Sequence, residues 1–413
     1  MKRTLAVAGV ALGALLVQPA LAWEGDTFRP FVSLGQFYDS NLFRLSDSAN
    51  SSGIQRDDRY RVLSGGLNVD WKPGRQQLVA SATKTFVRYD RNTFLDYQGN
   101  DVQATWNWRL GNRLSGNLGA TETTGQSSFG DIGVVNNKFT RKRRFGRADW
   151  EFHPRWRIGA GVEETDNANS APSQFVWDYH QTTEDVTLGY QTPKGSRLRA
   201  QVRRIDASFP NQQILQTFLG LFAAVADNSY EQTEYNLLGD WSLSGKLTLH
   251  WTAGWVDRRY DNMLQSNIIG GYYAALEPRS DFSGFNGRVT ADWYATGKTL
   301  FSMSLYQELA GAQDINATSV LKKGASVNGA WLIREKWRLN AGVTFENRDF
   351  RGDMGAGLPQ RTDDTWGTSL SVNYAPIQAV SIDLGVSSGR RDSNTSVYEY
   401  TFNSAFVNVR ADF

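Results

Sequence analysis

The sequence predicts an all-β fold: a single transmembrane antiparallel up-and-down β-barrel of about 18 strands, with 16 as the lower count. Three observations carry that reading. The last stretch, Tyr400 to Phe413, alternates with period two. A unit made of an aromatic-ended run, a tight turn and a second alternating run recurs eight times along the chain. The composition is rich in aromatics and glycine and poor in proline.

The C-terminal stretch comes first. Counting back from Phe413, Ala411, Val409, Val407 and Ala405 fall on one face, while Asp412, Arg410 and Asn408 fall on the other. A terminal strand of this kind resembles the signal by which outer-membrane β-barrels are recognised for insertion. The resemblance implies the barrel-assembly machinery as a partner and Phe413 as an assembly signal. As the last strand, this stretch pairs with the first and closes the sheet, with Asn408 and Arg410 on the lumen side.

The N-terminus reads as an export leader. Lys2 and Arg3 precede an apolar run from Leu5 to Val17, and Ala20-Leu21-Ala22 is a small-residue cleavage site. Residues 1–22 are therefore assigned as a signal peptide and 23–413 as the barrel. Removing the leader takes two cations and no acid from 44 basic and 42 acidic residues, leaving a formally neutral chain. A neutral chain has no basic field for nucleic acid. Cysteine is absent, which removes disulfides and cysteine metal sites. No run after residue 22 approaches the ~18 apolar residues of a spanning helix. With 13% aromatics and 39 Gly against 10 Pro, the composition suits interfacial girdles and curved strands better than a soluble β-sandwich.

The repeat gives the architecture. Its aromatic ends are Trp71, Trp108, Trp150, Tyr190, Trp241, Trp293, Trp331 and Tyr374, each followed by a short turn and a new alternating run. Between these hairpins lie longer segments rich in Asn, Ser, Gly and Asp. Eight tight turns and nine longer loops imply 18 strands, beginning with Phe28 to Asp39. Short turns then face the periplasm and long loops the exterior. In the run after Trp337, Leu339, Ala341, Val343 and Phe345 share a face, opposite Arg338, Asn340, Thr344 and Glu346. The eight hairpin aromatics are in phase with the apolar face, so they form a membrane-interface belt. Outer-membrane lipid and lipopolysaccharide are the expected surroundings.

The residue before each belt aromatic points inward. Asp70, Asp149, Asp240 and Asp292 are candidate lumen residues of this kind, facing turn cations such as Arg75, Arg155, Lys246 and Lys336 across a wet rim. Rim pairs of that sort are worth about 0–1 kcal/mol each. The run SRLRAQVRRID puts Arg197, Arg199 and Arg203 on one inward stripe, either attracting anions or pairing with acids such as Asp185 and Glu234. Residues 209–229 are the odd loop. Ile214, Phe218 and Phe222 recur there at helical spacing, which predicts a short amphipathic helix serving as a lid or constriction. The second long loop, with Ile268, Tyr272 and Leu276, is a packing partner for it.

Enzyme chemistry has little support. The three His (His153, His180 and His250) are not at metal-ligand spacing, and no nucleophile elbow, zinc motif or phosphate loop is present. No catalytic residue, metal or cofactor is expected.

The first strand leads into Tyr38-Asp39-Ser40-Asn41-Leu42-Phe43-Arg44. This segment resembles the Y-D-x-N-L-F-R element of outer-membrane barrels of the EpsL type, which are encoded with exopolysaccharide machinery, and of the wider β-barrel porin family that shares it. The layout agrees across nearly the whole chain after the leader. What the resemblance implies is a passive, gated or open conduit in the export or assembly of a secreted polysaccharide, working with periplasmic export proteins. By their own chemistry Asp39 and Asn41 read as turn formers at a strand end. A barrel of ~16–18 strands encloses an aqueous channel, so a general or substrate-selective diffusion porin is the alternative. An outer-membrane enzyme or surface-binding barrel is a distant third.

Overall fold

The computed structural model describes residues 27–47, 53–211, 228–261, 280–311, 317, 319–352 and 360–413, together with the backbone of four short loop strands. The signal-peptide assignment at 1–22 lies outside these residues. The first nine strands are β1 (Phe28–Asp39), β2 (Asp58–Trp71), β3 (Gln77–Tyr89), β4 (Tyr97–Leu110), β5 (Leu114–Gln126), β6 (Lys138–His153), β7 (Trp156–Asn169), β8 (Tyr179–Gln191) and β9 (Arg197–Ser208). Two loop strands follow, β10 (Gln213–Phe218) and β11 (Phe222–Ala226), and then β12 (Tyr230–Ser244) and β13 (Leu247–Tyr260). Another pair, β14 (Asn267–Ile269) and β15 (Tyr272–Leu276), precedes β16 (Phe282–Thr296), β17 (Thr299–Gly311), β18 (Ser319–Arg334), β19 (Trp337–Arg351), β20 (Thr362–Ile377), β21 (Val380–Ser393) and β22 (Tyr400–Asp412).

Leaving out the four loop strands, each strand pairs antiparallel with the next, in one 18-stranded sheet. The sheet closes where β1 meets β22, in a register running from Phe31 opposite Asp412 to Asp39 opposite Ser404. Closure removes both edges, the condition for a sheet to cross a bilayer without orphaned backbone groups.

The registers separate two faces. Leu237, Trp255 and Phe285 on β12, β13 and β16 share the outer face with Leu305, Val327 and Val343 farther round, and all six are well exposed. A closed sheet whose exposed outer face is apolar is a membrane-spanning wall. Above this band runs a polar row in which Gln307, Lys323, Asn347 and Asp364 are successive register partners on β17 to β20. On β18 the band extends from Trp331 to Lys323, a height of roughly 20 Å at ~3.3 Å per residue and ~40° of tilt. Around β5 to β12 the same level carries outward ion pairs, among them Lys142–Glu122 at 3.8 Å and Arg204–Glu231 at 2.9 Å.

Strand glycines take neighbouring rings. At Gly385 a Cβ would overlap the Phe406 ring lying against it, so the aromatic covers a place where the sheet has no side chain of its own.

The loop at 209–229 differs from expectation. Its backbone is strand, not helix: β10 and β11 pair antiparallel, with Phe218 opposite Phe222. β11 then pairs parallel with β15, Ala224 opposite Ala275, so the two long loops share one four-stranded sheet. The helical spacing of Ile214, Phe218 and Phe222 is real in sequence, but Gly220 falls between the two runs and each run is short enough to extend. Pairing between loops then satisfies more backbone than one isolated helical turn does. The side chains of these three residues, and with them the lid assignment, lie outside the described residues.

Candidate functional site

The lumen face carries alternate residues of all 18 strands, and its charges meet one another. Arg199 on β9 reaches Asp240 on β12 at 3.1 Å, and Arg203 reaches Glu234 at 3.0 Å. Two members of the predicted arginine stripe are thus neutralised by the next strand. Arg197 lies opposite Asp240 and Gln191 in the ladders on its two sides. The rim acids meet groups other than the cations expected to face them. Asp70 contacts Lys72 at 2.8 Å and Gln77 at 2.7 Å. Asp149 accepts from Arg147, which also reaches Asp185 at 2.6 Å. Asp240 and Asp292 flank His250, at 2.7 and 3.6 Å from opposite ring nitrogens. Because those nitrogens point apart, the three groups do not converge on one metal position. Of the turn cations, Arg75 and Lys336 instead donate to the carbonyls of Gly111 and Pro376.

Other lumen groups were not singled out from sequence. On β6, Arg141, Arg143 and Arg147 alternate inward, with Arg143 on Glu163 at 2.5 Å. The signal was present, but the outward positions Lys142 and Arg144 are basic too, so the strand shows no alternation of charge. A second network joins Arg288 to Glu308 at 2.6 Å, while the Tyr306 hydroxyl donates to Glu346, itself paired with Arg348. Arg410 pairs with Asp412 at 2.6 Å and lies over the Phe31 ring, so it ties the two strands of the seam together as well as facing the lumen. Phe413 is exposed on the outer wall, its N–H donating to the Pro30 carbonyl at 2.9 Å.

The eight hairpin aromatics all lie on the outward face. Trp71, Trp150, Trp241, Trp293 and Trp331 are exposed, while Tyr374 stacks on Trp337 with centroids 4.2 Å apart and Tyr190 packs on Trp156 at 4.9 Å. Trp108 lies across Gly116. Such residues at one level make the amphipathic girdle of a bilayer interface.

The segment from Tyr38 to Arg44 forms the most enclosed part of the mouth. Tyr38 points outward, but Asp39, Asn41, Leu42 and Phe43 are buried. Arg44 has φ of +55°, a conformation that a residue with a Cβ adopts only when its surroundings hold it. Here Asp39 grips its guanidinium at both oxygens, and the same group lies 3.7 Å from the Phe402 centroid on β22. Asn41 donates to the Thr401 carbonyl at 3.0 Å, across the seam. Phe43 packs edge-on against Phe129, whose α-helical turn α1 (Phe129–Ile132) belongs to the third long loop, and it joins Leu95, Tyr60 and Tyr89 in one apolar cluster. The element is an inward latch that joins three loops to the barrel seam.

Comparison with known proteins gives one partial family match and several distant likenesses among solved structures. The family described as "Putative beta-barrel porin 2" matches residues 242–413, less than half of the chain. No curated protein matches. Solved structures that resemble the chain include Pseudomonas aeruginosa OpdK with vanillate, at 12% identity and a TM-score of 0.47, covering 94% of this chain and 98% of that one. A BenF-like porin from Pseudomonas fluorescens Pf-5 gives 13% identity, a TM-score of 0.48 and coverage of 94% and 99%. Acinetobacter baumannii OccAB3 gives 10%, 0.46, and 94% and 99%. The closed 18-stranded ladder with its apolar outer wall makes this an outer-membrane β-barrel.

Proposed function

We propose that the chain is a passive diffusion channel of the outer membrane for small polar solutes, with little preference for the sign of their charge. The observation that carries this reading is the pairing of lumen charges. Arg143, Arg147, Arg199, Arg203 and Arg288 each face a carboxylate on their own or an adjacent strand, so most of the field is spent within the wall. The porin family match over 242–413 supports the same reading.

Polysaccharide export drew on the element from Tyr38 to Arg44. With Asp39, Asn41, Leu42 and Phe43 buried in the latch, and Tyr38 turned to the outer wall, that element offers the lumen little surface for a polymer strand. The paired lumen charges among the described residues suit diffusion of small polar solutes, and that is the reading adopted. The test is conductance of the purified barrel in planar bilayers. Discrete ohmic steps, with a zero-current potential near zero in a salt gradient, are expected. A barrel that carries no current, in cells that lose their secreted polymer when the gene is removed, would overturn it in favour of export.

A further inference from the structure

Arg258 is a lumen cation set against an aromatic shelf rather than against a carboxylate. Tyr179, Phe209, Tyr230, Tyr260 and Phe282, on β8, just past β9, and on β12, β13 and β16, form a chain of rings with successive centroids 5.6, 6.3, 6.0 and 6.3 Å apart. They lie at the outer ends of their strands, on the inward face. The Arg258 guanidinium lies over this shelf, 3.5 Å from the Tyr230 centroid and 5.3 Å from that of Phe282.

Its only described hydrogen bond runs from Nε to the Gln232 side-chain oxygen, at 2.7 Å. Gln232 is buried and donates in turn to Glu234, the carboxylate that Arg203 already holds. One acid thus serves two guanidiniums. Among the described residues no carboxylate faces Arg258, whereas Arg199, Arg203 and Arg288 on nearby strands each have one. Space for its far end is made by Gly311 on β17, where a Cβ would overlap Nη1.

We infer that Arg258 is an oxyanion contact at the extracellular mouth of the lumen, taking a carboxylate or phosphate group of a passing solute. A half-buried charge with no counter-ion among the described residues is costly, and a solute oxyanion supplies such a partner. Stacking on Tyr230 fixes the plane of the guanidinium, and Gln232 fixes its Nε edge. The Nη edge is left to make the two parallel bonds that match a carboxylate or phosphate. A halide, a single point charge, gains nothing from the fork.

This inference rests on the diffusion reading, and the experiment separates the two. The purified full-length barrel is placed in planar bilayers in potassium chloride, and acetate or inorganic phosphate is added as a competitor for the chloride current. Arg258→Gln should raise the concentration needed for half-block by about tenfold, the scale of a charge-assisted bond. Arg258→Lys should weaken block by both oxyanions yet keep the chloride current. Gly311→Ala, which displaces Nη1 without removing charge, should weaken block too. Block unchanged in all three conducting variants overturns the assignment. Acetate and phosphate arms that differ tell which oxyanion is taken. If the wild-type barrel carries no current, diffusion fails, and the contact is read instead from a phosphate-induced rise in the unfolding temperature of the detergent-solubilised barrel. A rise in wild type that is lost in Arg258→Gln supports it, and no rise in wild type overturns it.

Discussion

Asp39 and Arg44 make a bidentate ion pair, both bonds 2.8 Å long, in which the two side chains keep 1% and 8% of their exposure. Removing one member of so enclosed a pair leaves the other charge without compensation, at a cost of about 3–5 kcal/mol. Arg44→Ala should therefore lower the temperature at which the folded, fast-migrating band in detergent gels converts to the unfolded one. Arg44→Lys should recover only part of it, because an ammonium replaces neither the second hydrogen bond nor the contact with Phe402.

The two faces make opposite predictions for neighbouring residues. Leu237 points to lipid and is 55% exposed, while Asn236 points into the lumen. Leu237→Arg should cost about 2–4 kcal/mol near the middle of the band. Asn236→Arg should fold normally. Urea unfolding in lipid vesicles checks both.

Asp240 holds Arg199 and His250 at once. Asp240→Asn leaves Arg199 without its acid, so the zero-current potential in a salt gradient should move toward anion preference. Arg199→Gln should move it the other way, and the double variant should return close to wild type. Stability should change by no more than about 1 kcal/mol, since the pair is partly exposed.

Gly385 lies under the Phe406 ring. Gly385→Ala should push the ring aside and cost about 1–3 kcal/mol, the range for overpacking. Adding Phe406→Leu should recover part of that loss in the same gel assay.

Deleting Phe413 should lower the yield of barrel in the outer membrane while leaving the unfolding temperature of what does assemble nearly unchanged. The folded barrel loses one backbone bond, to Pro30, and an exposed ring. Membrane fractionation alongside the gel assay checks this.

The wall was legible because each of its features is local. Period-two alternation sets which residues face lipid, and the belt aromatics mark where a descending strand must turn, so Phe28–Asp39 and the eight tight turns could be read one hairpin at a time. The mouth was not legible. Phe43 meets Phe129 and Leu95, residues from three separate loops, and no short-range pattern announces that meeting. The same holds for β11 and β15, whose pairing joins loops some fifty residues apart and overrides the helical spacing of Ile214, Phe218 and Phe222. Partners for lumen charges fall between these cases. Register decides that Arg203 meets Glu234, and register follows from closure rather than from either strand alone.

Because the latch grips β22 through Phe402 and Thr401, its bonds can form only after the first and last strands have met. Contacts made that late are absent from the transition state for closing, so they act on the rate of opening and hardly on the rate of insertion. The first loop thus gives the barrel persistence: once shut, the seam is held from within, and the lifetime of the folded protein depends on how slowly Arg44 lets go.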